Sequence, residues 1–241
     1  MDVAVATFVV LPVGLVAALV TSTWLASRRA AASPHEAKRA TLLTAALAVA
    51  WMGATWILAS RGVLARWTMP PPFMLVALTG LAATVVLALG RTGRRLAQLP
   101  LWLLVGVQGF RLPLELAMHA MAERGVMPPQ MSYSGRNFDI VSGATALLVA
   151  GLLLAGRGGR RLVAAWNLLG FLLLANIVGT AVVSTPTFGW FGQERLNTWV
   201  TGTPFVWLPT VMVPAALGGH LLVWRALTLR RDAPSGGAPP A

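Results

Sequence analysis

The chain has no cysteine in its 241 residues, so disulfides, thiolate metal sites and a cysteine nucleophile are excluded. Charge is also scarce. Only 11% of the residues are charged and 56% are hydrophobic, where a soluble domain averages about a quarter charged. The deficit lies in long apolar runs separated by short basic clusters, the pattern of an all-α, polytopic membrane protein. No polar stretch exceeds the length of a loop, which leaves no room for a separate catalytic or nucleic-acid-binding domain. No basic residue precedes the first apolar run after Met1-Asp2. A cleaved signal peptide would carry one there, so the first span is expected to remain as an anchor.

The net charge of +12 would suggest nucleic acid in a soluble protein. Here the basic residues fall between hydrophobic spans, as orientation in a bilayer requires, and no nucleic-acid partner is expected. Hydropathy predicts a seven-transmembrane helix bundle over 1–231, with spans near 3–26, 41–60, 73–90, 99–122, 140–155, 162–184 and 205–227. Each approaches the roughly 20 residues that cross about 30 Å of hydrocarbon. One side of such a bundle carries thirteen of the nineteen Lys and Arg residues, the other five, and Arg111 lies within a span. The positive-inside rule then puts the amino terminus outside and the carboxyl terminus in the cytoplasm. The Pro-, Gly- and Ala-rich tail, 232–241, is expected to be disordered on the cytoplasmic side.

The fourth span carries charge where charge is expensive. Gln108, Arg111, Glu115 and His119 follow one another at steps of three, four and four, which lines them along one helix face. Ionisable groups inside a bilayer face a bundle interior or a wet cavity, so this face is the default place to look for function. Arg111 and Glu115 are spaced to pair along the helix, and Glu115 and His119 repeat the step. Pro113 leaves the carbonyl of Gly109 without its usual donor. On the functional reading the face lines an outward-facing polar cavity, in which Arg111 holds an anionic group and Glu115 or His119 exchanges a proton. On the structural reading the same groups cross-link helices through Asn167, Asn176 or a backbone carbonyl.

Arg136-Asn137-Phe138-Asp139 leads into the fifth span from the outer side. Asp139 is expected to be a helix N-cap ahead of a ligand contact, with Arg136 and Asn137 on the cavity rim. Gln108, Arg111, Glu115, His119, Asn137, Asp139 and Asn176 are thus the candidate ligand-binding residues. The last span contains Pro204, Pro209 and Pro214, then Gly218-Gly219-His220. Pro209 and Pro214 free the carbonyls of Phe205 and Thr210 and predict a bend, while His220 is expected near the cytoplasmic interface. Between the last two spans, Phe188, Trp190, Phe191 and Trp199 are expected at the lipid headgroup boundary.

Several chemistries are argued against. His119 and His220 are expected at opposite depths, so they do not form a haem pair. A retinal-type Schiff base needs a lysine in the last span, and the only lysine is Lys38. The three histidines lack metal-ligand spacing, no metal site is expected, and no motif names a cofactor. Ser142 has no evident His–Asp partner.

Arg111-Leu112-Pro113-Leu114-Glu115-Leu116 with His119, Asn137-Phe138-Asp139-Ile140 and Trp166-Asn167-Leu168-Leu169-Gly170 resemble segments of small, uncharacterised bacterial seven-span membrane proteins. The resemblance runs from about residue 99 to 227 and implies a multi-pass protein of the bacterial inner membrane. It implies no activity. Three functions stay open: binding or transport of a small anionic or protonatable ligand, a structural or assembly subunit contacting other membrane chains, and an enzyme acting on lipid with Glu115 or His119 as acid or base.

Overall fold

Every apolar run of the sequence becomes helical, and no strand forms among the described residues. The computed structural model describes residues 2–30 and 32–231; the tail 232–241 lies outside them. Helix α1 spans Val3–Arg29, α2 Pro34–Ser60, α3 Pro72–Leu89 and the short α4 Arg91–Leu96. The fourth span is Leu101–Gly106 (α5), a 3-10 turn over Val107–Phe110, and Arg111–Glu123 (α6). Then come α7, Asp139–Leu154, α8, Arg160–Val183, and α9, Val213–Arg231, preceded by a π-helical turn over Leu208–Met212. The helix starts follow local chemistry. Asp2 caps α1 by accepting from the Ala4 N–H, and Ser33 with Glu36 forms a capping box on α2 with Pro34 in the first turn.

Six of these segments are long and apolar enough to cross a membrane. The remaining expected span, α7, has 16 residues, about 24 Å at about 1.5 Å per residue, and falls short of that length. Gly156, with φ of 69°, follows just after its last turn. Ion pairing and capping tie the two ends of the bundle. Asp2 pairs with Arg124 at one end. At the other, Arg225 donates to the carbonyls of Ala88 and Gly90, and Arg230 donates to that of Leu99. The bond to Ala88 satisfies an acceptor left open where α3 stops.

Two spans are broken, each at proline. Pro113 cannot donate to Gly109, and the chain before it tightens into the 3-10 turn, so Arg111 sits at the junction of two helical halves. In the last span the expected bend takes the form of the π-helical turn at Pro209. Its freed carbonyls are satisfied: the Phe205 oxygen accepts from the Leu208 N–H, and the Thr210 oxygen accepts from the Trp51 indole at 2.8 Å. A second indole, Trp207, donates to the Met52 carbonyl at 3.1 Å. These bonds draw the turn towards α2, and it packs on α1 and α3 as well, whereas α8 packs on the regular helix that follows. Trp51→Phe keeps the aromatic bulk but orphans the Thr210 carbonyl. It is expected to lower stability by about 1–2 kcal/mol, read from unfolding of the purified protein in detergent.

Apolar side chains form two clusters. One surrounds Phe8, Leu64, Met118, Met121 and Met212; the other surrounds Leu96, Val105, Trp166 and Val223. Along the fourth, sixth and last spans the polar residues fall between the two. The outer aromatics divide. Phe188 and Trp190 are exposed, and Phe191 lies half-buried under the Arg136 guanidinium. Trp199, expected at the headgroup boundary, instead packs edge-on against Phe8 and Phe205, because these three rings fill the space between α1 and the start of the last span.

Candidate functional site: a buried polar layer beside an apolar cavity

Arg111 is 1% exposed and Glu115 2%, so both charges of the fourth span are held inside protein. They are not paired with each other. Arg111 Nη2 lies 2.8 Å from Asp139 Oδ2, on the first turn of α7. Side chains on a helix lean towards its amino terminus, which carries the Arg111 guanidinium away from Glu115. The expected Arg111–Glu115 pair is therefore replaced by one between helices.

Arg111 Nη1 donates to His220 Nε2 at 2.9 Å. A guanidinium can only donate, so Nε2 is the accepting nitrogen and the ring proton sits on Nδ1. That proton goes to Asn167 Oδ1 at 2.9 Å, and Asn167 Nδ2 returns a bond to the His220 carbonyl at 3.2 Å. His220 is thus buried at the depth of Arg111, not at the cytoplasmic interface. The regular part of its helix begins after the π-helical turn, so counting from Pro204 overstates its depth.

Asn137, fully buried, holds the outer side of the layer. Its Nδ2 donates to Glu115 Oε2 at 2.7 Å and to the Met131 carbonyl at 3.1 Å. Its Oδ1 accepts from the Asp139 N–H at 3.1 Å. Asn137 therefore satisfies the first amide of α7, and the expected N-cap role of Asp139 is corrected: its carboxylate is released to meet Arg111. That carboxylate also lies in the first turn of α7, where the helix dipole favours negative charge.

Two glycines make the layer fit. A Cβ on Gly143 would overlap the Leu112 nitrogen and stand 3.0 Å from the Arg111 carbonyl carbon. A Cβ on Gly170 would stand 2.5 Å from His220 Cε1 and 2.8 Å from Ser142 Oγ.

Next to this layer is a cavity of about 280 Å³. Arg111, Glu115, Asn137 and Asp139 line its polar end. Most of the remaining wall is apolar, built from Phe73, Leu78 and Met74 of α3, Met118 and Leu114 of α6, Leu174 and Ile177 of α8, and Met212 and Ala216 of the last span. Four methionines, Met74, Met118, Met131 and Met212, give part of that wall an adaptable shape. At the polar end, Arg111 Nε is buried with no partner in the protein, and Ser142 lies beside the Asp139 carboxylate.

The other predicted site residues lie elsewhere. Gln108 donates to the Ala216 carbonyl at 3.1 Å and packs on Gly219, away from the cavity wall. His119 binds Ser132 Oγ through Nδ1 at 2.9 Å and stacks on Tyr133, so no Glu115–His119 relay is assembled. Asn176 donates to the Arg136 carbonyl at 2.7 Å and ties α8 to the outer loop. Two members of the layer were outside the predicted site set. Asn167 stood among the structural partners, and His220 followed a Gly-Gly pair, the one local signal that another helix approaches there. Among the described residues no three His, Asp or Glu side chains converge as metal ligands. No protein-family model, curated protein sequence or solved structure matches the chain.

Proposed function

We propose that this is a seven-span protein of the bacterial inner membrane, amino terminus outside, which binds a small amphiphile with a protonated or hydrogen-bond-donating head. The basic bias supports the orientation. The packing of α7 between the fourth span and α8 supports its role as the fifth of seven spans despite its length. The observation that carries the ligand is the polar end of the cavity. Both terminal nitrogens of Arg111 are engaged within the protein, which leaves only its Nε to meet an anion. The formal charge there is one guanidinium against two carboxylates. A donor or cation is complementary to that arrangement; an anion is not. The apolar wall suits a hydrocarbon body, as in small-molecule sites with few polar groups. This narrows the anionic-or-protonatable expectation to its protonatable half, and the same head-group site serves binding or transport.

Decylamine, decanol and decanoate share a chain and differ in the head. In nanodiscs decylamine is expected to bind about tenfold tighter than decanoate, roughly 1.4 kcal/mol. Glu115→Gln, which keeps a partner for Asn137, should erase that preference while the protein stays folded. Equal binding of decanoate, or an undiminished preference in the folded variant, rejects the proposal.

A further inference from the structure

We infer that the cavity is reached sideways from the bilayer, through a gap between α8 and the α3 side of the π-helical turn. This deepens the amphiphile reading and rests on it for the nature of the ligand, a single-chain molecule dissolved in the membrane. The gap has a cause. Pro209 and Pro214 disrupt the last span, and the Trp51 and Trp207 bonds hold the disrupted turn towards α2. Below the turn α8 packs on α9; beside it, the turn packs on α1 and α3 instead. Leu78 of α3 and Val182 of α8 both line the cavity, and they remain 61% and 39% exposed on the outer surface of the bundle. Cavity wall and lipid-facing surface are therefore continuous at these two side chains.

The aqueous end is closed. Gln130 donates to Ser184 Oγ at 3.1 Å and to the Arg195 carbonyl at 2.8 Å, joining the two long outer loops. The Asn197 N–H donates to the Ser184 carbonyl at 2.7 Å, folding the second loop back on the end of α8. Phe8, Trp199 and Phe205 fill the space beside α1. A ligand with a hydrocarbon body then has its shortest path through the lipid-facing gap, and its head meets Glu115 at the inner end.

The route is tested with an uncharged fatty alcohol carrying a diazirine on its chain, dissolved in proteoliposomes of the full-length protein. After photolysis, label is expected on the cavity residues Met118 and Met212 as well as on the exposed Leu47 of α2. Leu78→Trp, a change on a lipid-exposed side chain, fills the gap. Labelling of Met118 should then drop about fivefold or more, since close-packed side chains exclude the probe, with Leu47 labelling unchanged. Val182→Trp on the facing helix should act alike. Label confined to outward faces in the parent protein, or cavity labelling untouched by both variants, overturns the lateral route. The probe carries no charge, so this outcome is independent of whether decylamine is preferred. Absence of a decylamine preference in the parent protein, with cavity labelling intact, rejects the head-group assignment and leaves the route standing.

Discussion

Asp139→Ala is expected to lower the unfolding free energy by about 3–5 kcal/mol, the largest effect of any single polar substitution in the bundle. Among the described residues its carboxylate is the one in ion-pair contact with the buried Arg111 guanidinium. Removing it leaves a cation enclosed by protein, with one remaining bond to His220. The loss measures that stranded charge and not the value of the pair. Taking both charges out of water is itself costly, so Arg111→Met combined with Asp139→Leu should recover most of the deficit. Some loss should persist, because His220 Nε2 is then an acceptor with no donor, worth about 1–3 kcal/mol. Unfolding of the two variants in detergent, compared with the parent, reads both numbers. A cost below about 1 kcal/mol for Asp139→Ala is what a solvent-screened surface pair would give, and it would remove the case for a buried layer.

Gly143→Val should cost about 3 kcal/mol, by a different route. The nearest atoms to an added Cβ are backbone atoms of Leu112 and Arg111, which cannot rotate aside as a flexible side chain would. Helices α6 and α7 would have to separate, and the Arg111–Asp139 contact depends on their approach. Gly151 lies two turns further along α7 with open space around it. Gly151→Ala is therefore expected to gain about 0.5–1 kcal/mol from helix propensity alone. The opposite signs of these two glycine substitutions on one helix, measured in the same unfolding experiment, isolate the packing term. If both variants gain stability, the close approach of α6 and α7 does not exist in solution.

The helical face of Gln108, Arg111, Glu115 and His119 was legible from spacing, and two of its four members do line the cavity. What spacing implied about partners was mostly incorrect. A step of four places two side chains on one face, but it does not compare that neighbour with a residue on another helix. Asp139 was recognised as important near the start of α7 and given the wrong task. Its competitor for the cap, Asn137, stands two residues earlier and bonds the amide as an Asx turn, a local pattern that competes with a cap by Asp139 itself. His220 was misplaced because its depth was counted along an ideal helix, and the π-helical turn breaks that ruler. The bend itself, and the two carbonyls it frees, followed directly from Pro209 and Pro214. That an indole from α2 would satisfy one of them did not.

The amino-acid sequence by itself determined the solvent this protein lives in, the helical class, the approximate limits of the apolar segments, and which span holds buried charge. These are properties of local composition and periodicity, because transfer free energy and backbone hydrogen bonding act residue by residue along a helix. Only the tertiary structure decided which charges meet, that the cavity wall is chiefly apolar, and that Arg111 is neutralised within the protein. Those depend on distances between segments far apart in the chain, as Arg111 and His220 are at 109 positions. A pairwise energy that falls off within a few ångströms leaves no trace at that separation in a single sequence.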